Sequence, residues 1–166
     1  MFKTKLFSML IVSICLLFSA SITRADNGYM GANYGTIATD ITDHTGMFAF
    51  AGYNFNDVLG FEARTLIDSS TDAYQGVEIE IESMWGVYVT GSLPMPYGFT
   101  PYGIFGHSEG KAKATGYGQS ATADDSSTSV GFGVKYAATG ALTVRAEYMQ
   151  YFDDIDSMSV AAVLNF

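Results

Sequence analysis

The chain has 166 residues, a formal net charge of −9 and one cysteine, Cys15. A single cysteine excludes an internal disulfide framework. The acidic balance argues against a nucleic-acid partner, whose phosphates it would repel.

The first two dozen residues differ from all that follow. Lys3 and Lys5 open the chain, Leu6 to Phe18 is almost wholly apolar, and Ser19, Ala20 and Ser21 lead to Thr23-Arg24-Ala25. This is the basic, apolar, small-residue order of a secretory signal peptide, with cleavage expected after Ala25. The apolar run is shorter than the roughly 20 residues a spanning helix needs. A lipoprotein reading would acylate Cys15, but Ile14 stands where a small residue is wanted. The expected layout is a signal peptide over 1–25 and one mature domain over 26–166. Cleavage would remove Cys15 and three of the eight basic residues, leaving a mature net charge of −12.

After residue 25 no stretch keeps the i, i+3, i+4, i+7 apolar spacing of an amphipathic helix. Period-two segments rich in Gly, Tyr, Val and Phe recur instead, which is the strand signal. Eight strands are expected, at about 28–38, 46–56, 58–67, 77–92, 98–108, 127–138, 141–152 and 156–166. Their connections alternate. Asn56-Asp57, Leu93 to Tyr97 and Ala138-Thr139-Gly140 are short, whereas 39–45, 68–76, 109–126 and 153–156 are mostly longer and richer in Asp, Ser, Thr and Gly. A transmembrane barrel alternates this way because one rim carries tight periplasmic turns and the other carries extracellular loops.

Two faces are legible in three strands. In the third, Leu59, Phe61, Ala63 and Thr65 alternate with Gly60, Glu62 and Arg64. In the fourth, Val77, Ile79, Ile81, Trp85, Val87 and Val89 alternate with Glu78, Glu80, Glu82, Tyr88 and Thr90. In the seventh, Leu142, Val144, Ala146 and Tyr148 alternate with Thr143, Arg145, Glu147 and Met149. Strands two and five are ambiguous in parity, and their facing stays open. Periodicity alone does not separate a soluble barrel from a membrane barrel, which turns its apolar face to lipid. Aromatic residues placed mostly near strand ends favour the membrane: Tyr29, Tyr34, Tyr53, Phe55, Tyr97, Phe99, Tyr102, Tyr136, Tyr148, Tyr151, Phe152 and Phe166 suit interfacial girdles.

Gly28-Tyr29-Met30-Gly31-Ala32-Asn33-Tyr34-Gly35, Pro101-Tyr102-Gly103-Ile104-Phe105-Gly106, Val130-Gly131-Phe132-Gly133-Val134-Lys135-Tyr136 and the terminal Phe166 resemble the small eight-stranded outer-membrane barrels of the OmpA/OmpX-like, porin-family or opacity-protein-like group. The resemblance covers the whole mature segment. It implies an all-β fold, an eight-stranded antiparallel up-and-down transmembrane β-barrel in the bacterial outer membrane. It also implies that Phe166 is similar to the terminal signal read by the barrel-assembly machinery. It is nearly silent about function.

Glu62, Arg64, Glu80, Glu82, Lys135, Arg145 and Glu147 form the expected lumen set. Charges confined in a narrow barrel should pair, and an eight-stranded interior is only wide enough to be filled by its own side chains. A plug is expected in preference to a gated ion path. Nine of the eleven Asp fall in or beside the longer loops, where Asp is ordinary. Asp124, Asp125, Asp153 and Asp154 could also hold divalent cations against lipopolysaccharide. Lys111 and Lys113 suit lipopolysaccharide phosphates, and the loop Glu109 to Ser126, poor in apolar residues, is expected to be mobile and outside the membrane. His107-Ser108-Glu109, with His44 elsewhere, invites a hydrolase reading, but consecutive strand residues face opposite ways and do not form a triad. No catalytic residue, cofactor or metal centre is expected. The expected partners are outer-membrane lipid and lipopolysaccharide, the barrel-assembly machinery and an extracellular ligand. A sealed surface or envelope-integrity protein is the first functional expectation, a narrow porin the second and an outer-membrane lipid hydrolase the third.

Overall fold

A computed structural model describes residues 27–39, 43–70, 72–74, 77–116, 119–152 and 155–166. The expected signal peptide and Asp153-Asp154 lie outside the described residues, and of a few strand residues, including 77–80, only the backbone is described. The strands are β1 (Gly28–Thr39), β2 (Asp43–Asn54), β3 (Leu59–Ser69), β4 (Asp72–Tyr74), β5 (Val77–Ser92), β6 (Phe99–Gly116), β7 (Gln119–Ala137), β8 (Leu142–Phe152) and β9 (Ile155–Asn165). Pairing runs β3-β2-β1-β9-β8-β7-β6-β5, all antiparallel, and the β3–β5 ladder closes the ring. Eight strands therefore form the barrel. β4 is a short addition to the outer end of β5. Closure leaves the ring without an open edge, as a spanning sheet requires.

Local chemistry sets the short turns. Asn56 Oδ1 accepts from the amides of Val58 and Leu59, at 2.9 and 2.8 Å. Thr139 Oγ1 accepts from Ala141 and Leu142, at 3.3 and 3.0 Å. Such side chains stand in for backbone acceptors and hold the chain in a tight reversal. Between β5 and β6 the chain turns through Pro96, with Tyr97 and Gly98 both at positive φ.

The inside and outside of the barrel are chemically inverted relative to a soluble protein. Glu62, Arg64 and Arg145 are 0, 4 and 3% exposed, whereas Phe132 and Val160 are 66 and 60% exposed. Phe61, Val87, Val89, Phe105, Val130, Val144 and Leu164 share that outer apolar surface. An apolar band of this extent around a charged interior is what lipid solvation selects. Exposed Tyr53, Phe55, Tyr97, Phe99 and Tyr136 gather at the short-turn end, with Tyr53–Phe55 and Phe99–Tyr136 in ring contact.

Three expectations need correction. Tyr29, Tyr102, Tyr151 and Phe152 are not girdle residues; all are buried inside the barrel. A register shift between Gln150 and Phe152 lets both Tyr151 and Phe152 turn inward. Residues 109–116 and 119–126 are not loop but the outer parts of β6 and β7, paired without a break from Phe99↔Tyr136 to Gly116↔Gln119. A ladder already set by the barrel propagates through backbone hydrogen bonds and does not need an apolar face. Glu82 does not enter the lumen. A register shift between Ile81 and Ser83 reverses the parity of β5, so Ile81 packs on the core and Glu82 is exposed. The two unassigned strands are now settled. β2 turns Phe48 and Phe50 inward, and β6 turns Tyr102, Ile104 and Ser108 inward.

Candidate functional site in the barrel lumen

Four charged side chains from two facing strands meet across the lumen. Glu62 and Arg64 come from β3, Arg145 and Glu147 from β8. Arg64 donates through Nε to Glu62 Oε1 at 2.6 Å and through Nη2 to Glu147 Oε2 at 2.9 Å, and its Nη1 pairs with Glu147 Oε1. Arg145 Nη1 donates to Glu62 Oε2 at 2.7 Å. Two positive and two negative groups thus cancel, and Arg64 grips Glu147 with both arms of its fork, a geometry a lysine does not offer.

Aromatic side chains complete the shell. Tyr29 donates its hydroxyl to Glu62 at 2.9 Å and Tyr102 donates to Glu147 at 2.6 Å. The Arg145 guanidinium lies 4.8 Å from the Tyr29 ring centroid and 4.9 Å from that of Phe50, while Arg64 lies 5.2 Å from Tyr88. Cations over ring faces are electrostatically favoured, more so where water is excluded. Towards the long-loop end, Tyr88, Ser108 and Ser129 join through hydroxyls at 2.6 and 2.7 Å, and Ser129 donates to the Tyr151 carbonyl. Ile37, Phe48, Met84, Ile104, Met149, Tyr151 and Phe152 form an apolar cluster in the same lumen.

The expected site residues divide accordingly. Glu62, Arg64, Arg145 and Glu147 are brought together. Lys135 stands apart from the carboxylates, donating to Ser92 Oγ at 3.0 Å with its ammonium 4.6 Å from the Tyr102 centroid. The side chain of Glu80 lies outside the described residues. Glu82 instead sits 3.8 Å from Lys113, and Lys111 lies 3.2 Å from Asp124, both on the outer hairpin. Asp125 is exposed beside Asp124 and accepts from the Ser126 amide. His107 and Glu109 are exposed on the outer face, while Ser108 is buried within, so these three side chains do not converge. His44 is buried near the outer end of β2, with Nδ1 3.3 Å from the Ser70 carbonyl. Phe166 exchanges two backbone hydrogen bonds with Gly28, so the final residue is tied to the first strand.

Sequence reading missed the aromatic shell and its supports. The Tyr29 ring lies against Gly52 and the Tyr102 ring against Gly133, where a Cβ would collide with them. The signal was present as inward glycines opposite tyrosines, but it needs the register to be seen. Gly52→Ala should push Tyr29 off Glu62 and lower stability by about 1–3 kcal/mol. Gly91→Ala, where a Cβ meets nothing within 4 Å, is the control and should be near neutral. Urea unfolding from lipid vesicles compares the two.

A family model for the outer membrane protein beta-barrel domain matches residues 10–165. The chain belongs to that family. It is an integral protein of the bacterial outer membrane. Solved outer-membrane barrels share its fold at low identity. Ail, the attachment invasion locus protein of Yersinia pestis, is 17% identical with a TM-score of 0.58, covering 84% of this chain and 96% of that one. The N-terminal β-barrel domain of Pseudomonas aeruginosa OprF is 14% identical with a TM-score of 0.61, covering 85% and 98%. Neisserial surface protein A is 17% identical with a TM-score of 0.56, covering 84% and 96%. A search of curated protein sequences finds no match.

Proposed function

We propose that this outer-membrane barrel is a sealed anchor that presents the outer parts of β5, β6 and β7 to partners at the cell surface. The observation that carries the reading is the span of paired charges and aromatic rings across the lumen, from Glu62 and Arg64 on one wall to Arg145 and Glu147 on the other. A narrow barrel filled by its own side chains has no continuous water path.

Charge then selects the partner. The long-loop end (39–45, 68–82, 109–126 and 153–156) has thirteen acidic residues against Lys111 and Lys113. Ail was solved in complex with the heparin analogue sucrose octasulfate. A polyanion of that kind meets the wrong sign of field here, and a cationic partner meets the right one. Lys111 and Lys113 stay half-exposed in weak surface pairs, which leaves them free to exchange Asp124 and Glu82 for lipopolysaccharide phosphates.

Planar-bilayer recording tests the seal. The refolded protein should add no conductance above that of lipid alone, and Arg64→Ala should introduce leak events. Steady single-channel steps from the unaltered protein would replace this reading with the narrow-porin one.

A further inference from the structure

The lipid-facing side of β5, β6 and β7 carries a cup of mixed charge around Trp85, and we propose that it selects lipopolysaccharide whose phosphate bears an ethanolamine group. This deepens the reading above, which offers Lys111 a lipopolysaccharide phosphate, and rests on the cup lying at the outer edge of the membrane.

Register sets the depth of the cup. Phe99↔Tyr136 belongs to the aromatic girdle at the short-turn end. Glu109↔Ser126 lies eleven residues further along both strands, counting both ends. A tilted strand crosses the hydrocarbon in about 9–11 residues. Trp85 pairs with Glu109 between β5 and β6, so the outward row Trp85, Glu109 and Ser126 falls where lipid gives way to water. Tryptophan favours that level. On the membrane side Val87, His107 and Thr128 form the next row, and Val89, Phe105 and Val130 the one beyond. On the water side the following row is Ser83, Lys111 and Asp124. Acyl chains lying along the apolar rows therefore deliver their headgroup to Trp85.

A cavity of about 540 Å³ lies over the Trp85 and Lys111 rows. The Trp85 ring is 45% exposed and open to a ligand. Glu109 is exposed, and its carboxylate makes no ion pair or hydrogen bond among the described residues. Lys111 lies 3.2 Å from Asp124, with both side chains substantially exposed. Such a pair holds its partners weakly and exchanges them readily.

Two carboxylates against one ammonium leave the cup with excess negative charge. A bare phosphate reaching Lys111 also meets Glu109 and Asp124, and like charges brought together cost affinity. A phosphate bearing ethanolamine brings its own cation. The phosphate then takes Lys111, the ammonium takes the carboxylates, and the Trp85 face adds the attraction of an aromatic ring for a cation. Glu109 and Lys111 stand two residues apart on one strand, roughly 7 Å at the usual rise of about 3.4 Å per residue. Their flexible side chains can close that distance onto a phosphate and an ammonium joined by two carbons. Selection thus comes from repulsion of the unmodified lipid as well as attraction of the modified one.

The test uses the full chain refolded in phosphatidylcholine nanodiscs. Trp85 is the only tryptophan, so quenching of its fluorescence by acrylamide in the water reads the cup directly. Lipid A bearing phosphoethanolamine should protect the ring. It should do so at a lipid fraction about three- to tenfold below that needed for unmodified lipid A, the scale of one exposed ion pair plus one ring contact. Glu109→Gln with Asp124→Asn should erase that preference, and Lys111→Met should remove the protection. Heat-modifiable gel migration should show an intact barrel in each variant. Equal protection by the two forms of lipid A, with or without magnesium, would overturn ethanolamine selection and leave Lys111 as a plain phosphate contact. Equal protection by phosphatidylethanolamine would move the source to a phospholipid and overturn the lipopolysaccharide assignment. No protection by any of these lipids would overturn the cup outright. A Trp85 that acrylamide does not reach in phosphatidylcholine alone would lie within the hydrocarbon, and would overturn the surface-presentation reading as well.

Discussion

Replacing Arg64 by alanine should lower the unfolding free energy of the barrel in lipid vesicles by about 3–5 kcal/mol, the range for breaking a buried pair from one side. Arg64 neutralises Glu147 with both arms and Glu62 with Nε, and all three groups are buried. Removing it leaves Glu147 with the Tyr102 hydroxyl as its hydrogen-bond partner among the described residues. The carboxylate is then desolvated without a counter-charge. Arg145→Ala should follow the same direction with a smaller loss, because Glu62 keeps Arg64. The lone tryptophan, Trp85, faces outward from β5 and reports unfolding by its fluorescence. The double variant Arg64→Met with Glu147→Leu should lose less than the two single losses added together, since no charge is stranded when both partners become apolar. An Arg64→Ala barrel with an unchanged urea midpoint would show that the network is not structural.

Val160→Arg should destabilise the membrane-inserted barrel by about 2–4 kcal/mol, the range for arginine on the lipid face near the midplane. Val160 lies in the middle of β9, between Tyr34 on β1 and Ala146 on β8, and points outward. On a soluble barrel an arginine at an exposed position would change stability little. The sign of the effect therefore reads the solvent on the outer face. A neutral or favourable change, measured by the same vesicle unfolding, would contradict the lipid-facing assignment. Glu147→Gln serves as the inward counterpart. It keeps the volume and leaves the Arg64 charge partly uncompensated, so its loss should appear in vesicles and in detergent alike.

The sequence by itself determined the fold class, the number of barrel strands and the alternation of short turns with longer connections. These follow from period-two patterning and from residues such as Asn56 and Thr139, whose effects act over a few positions. It also placed Glu62, Arg64, Arg145 and Glu147 on the strand face opposite the apolar residues, because β3 and β8 keep a regular alternation. Tertiary structure decided the rest. Which face met lipid depended on closure, since an alternating strand reads the same in either solvent. Phe48 and Phe50 made β2 ambiguous because a membrane barrel puts apolar rings inside as well, where Phe50 packs on the two arginines and Phe48 stacks on Tyr151. A single extra residue at Ile81–Ser83 moved Glu82 from the expected lumen to the surface, because a strand's period of two turns any one-residue slip into a change of face. The outer hairpin escaped the reading for a related reason. Its side chains carry no apolar period, and its order comes from a backbone ladder that starts in the barrel and continues to Gly116↔Gln119.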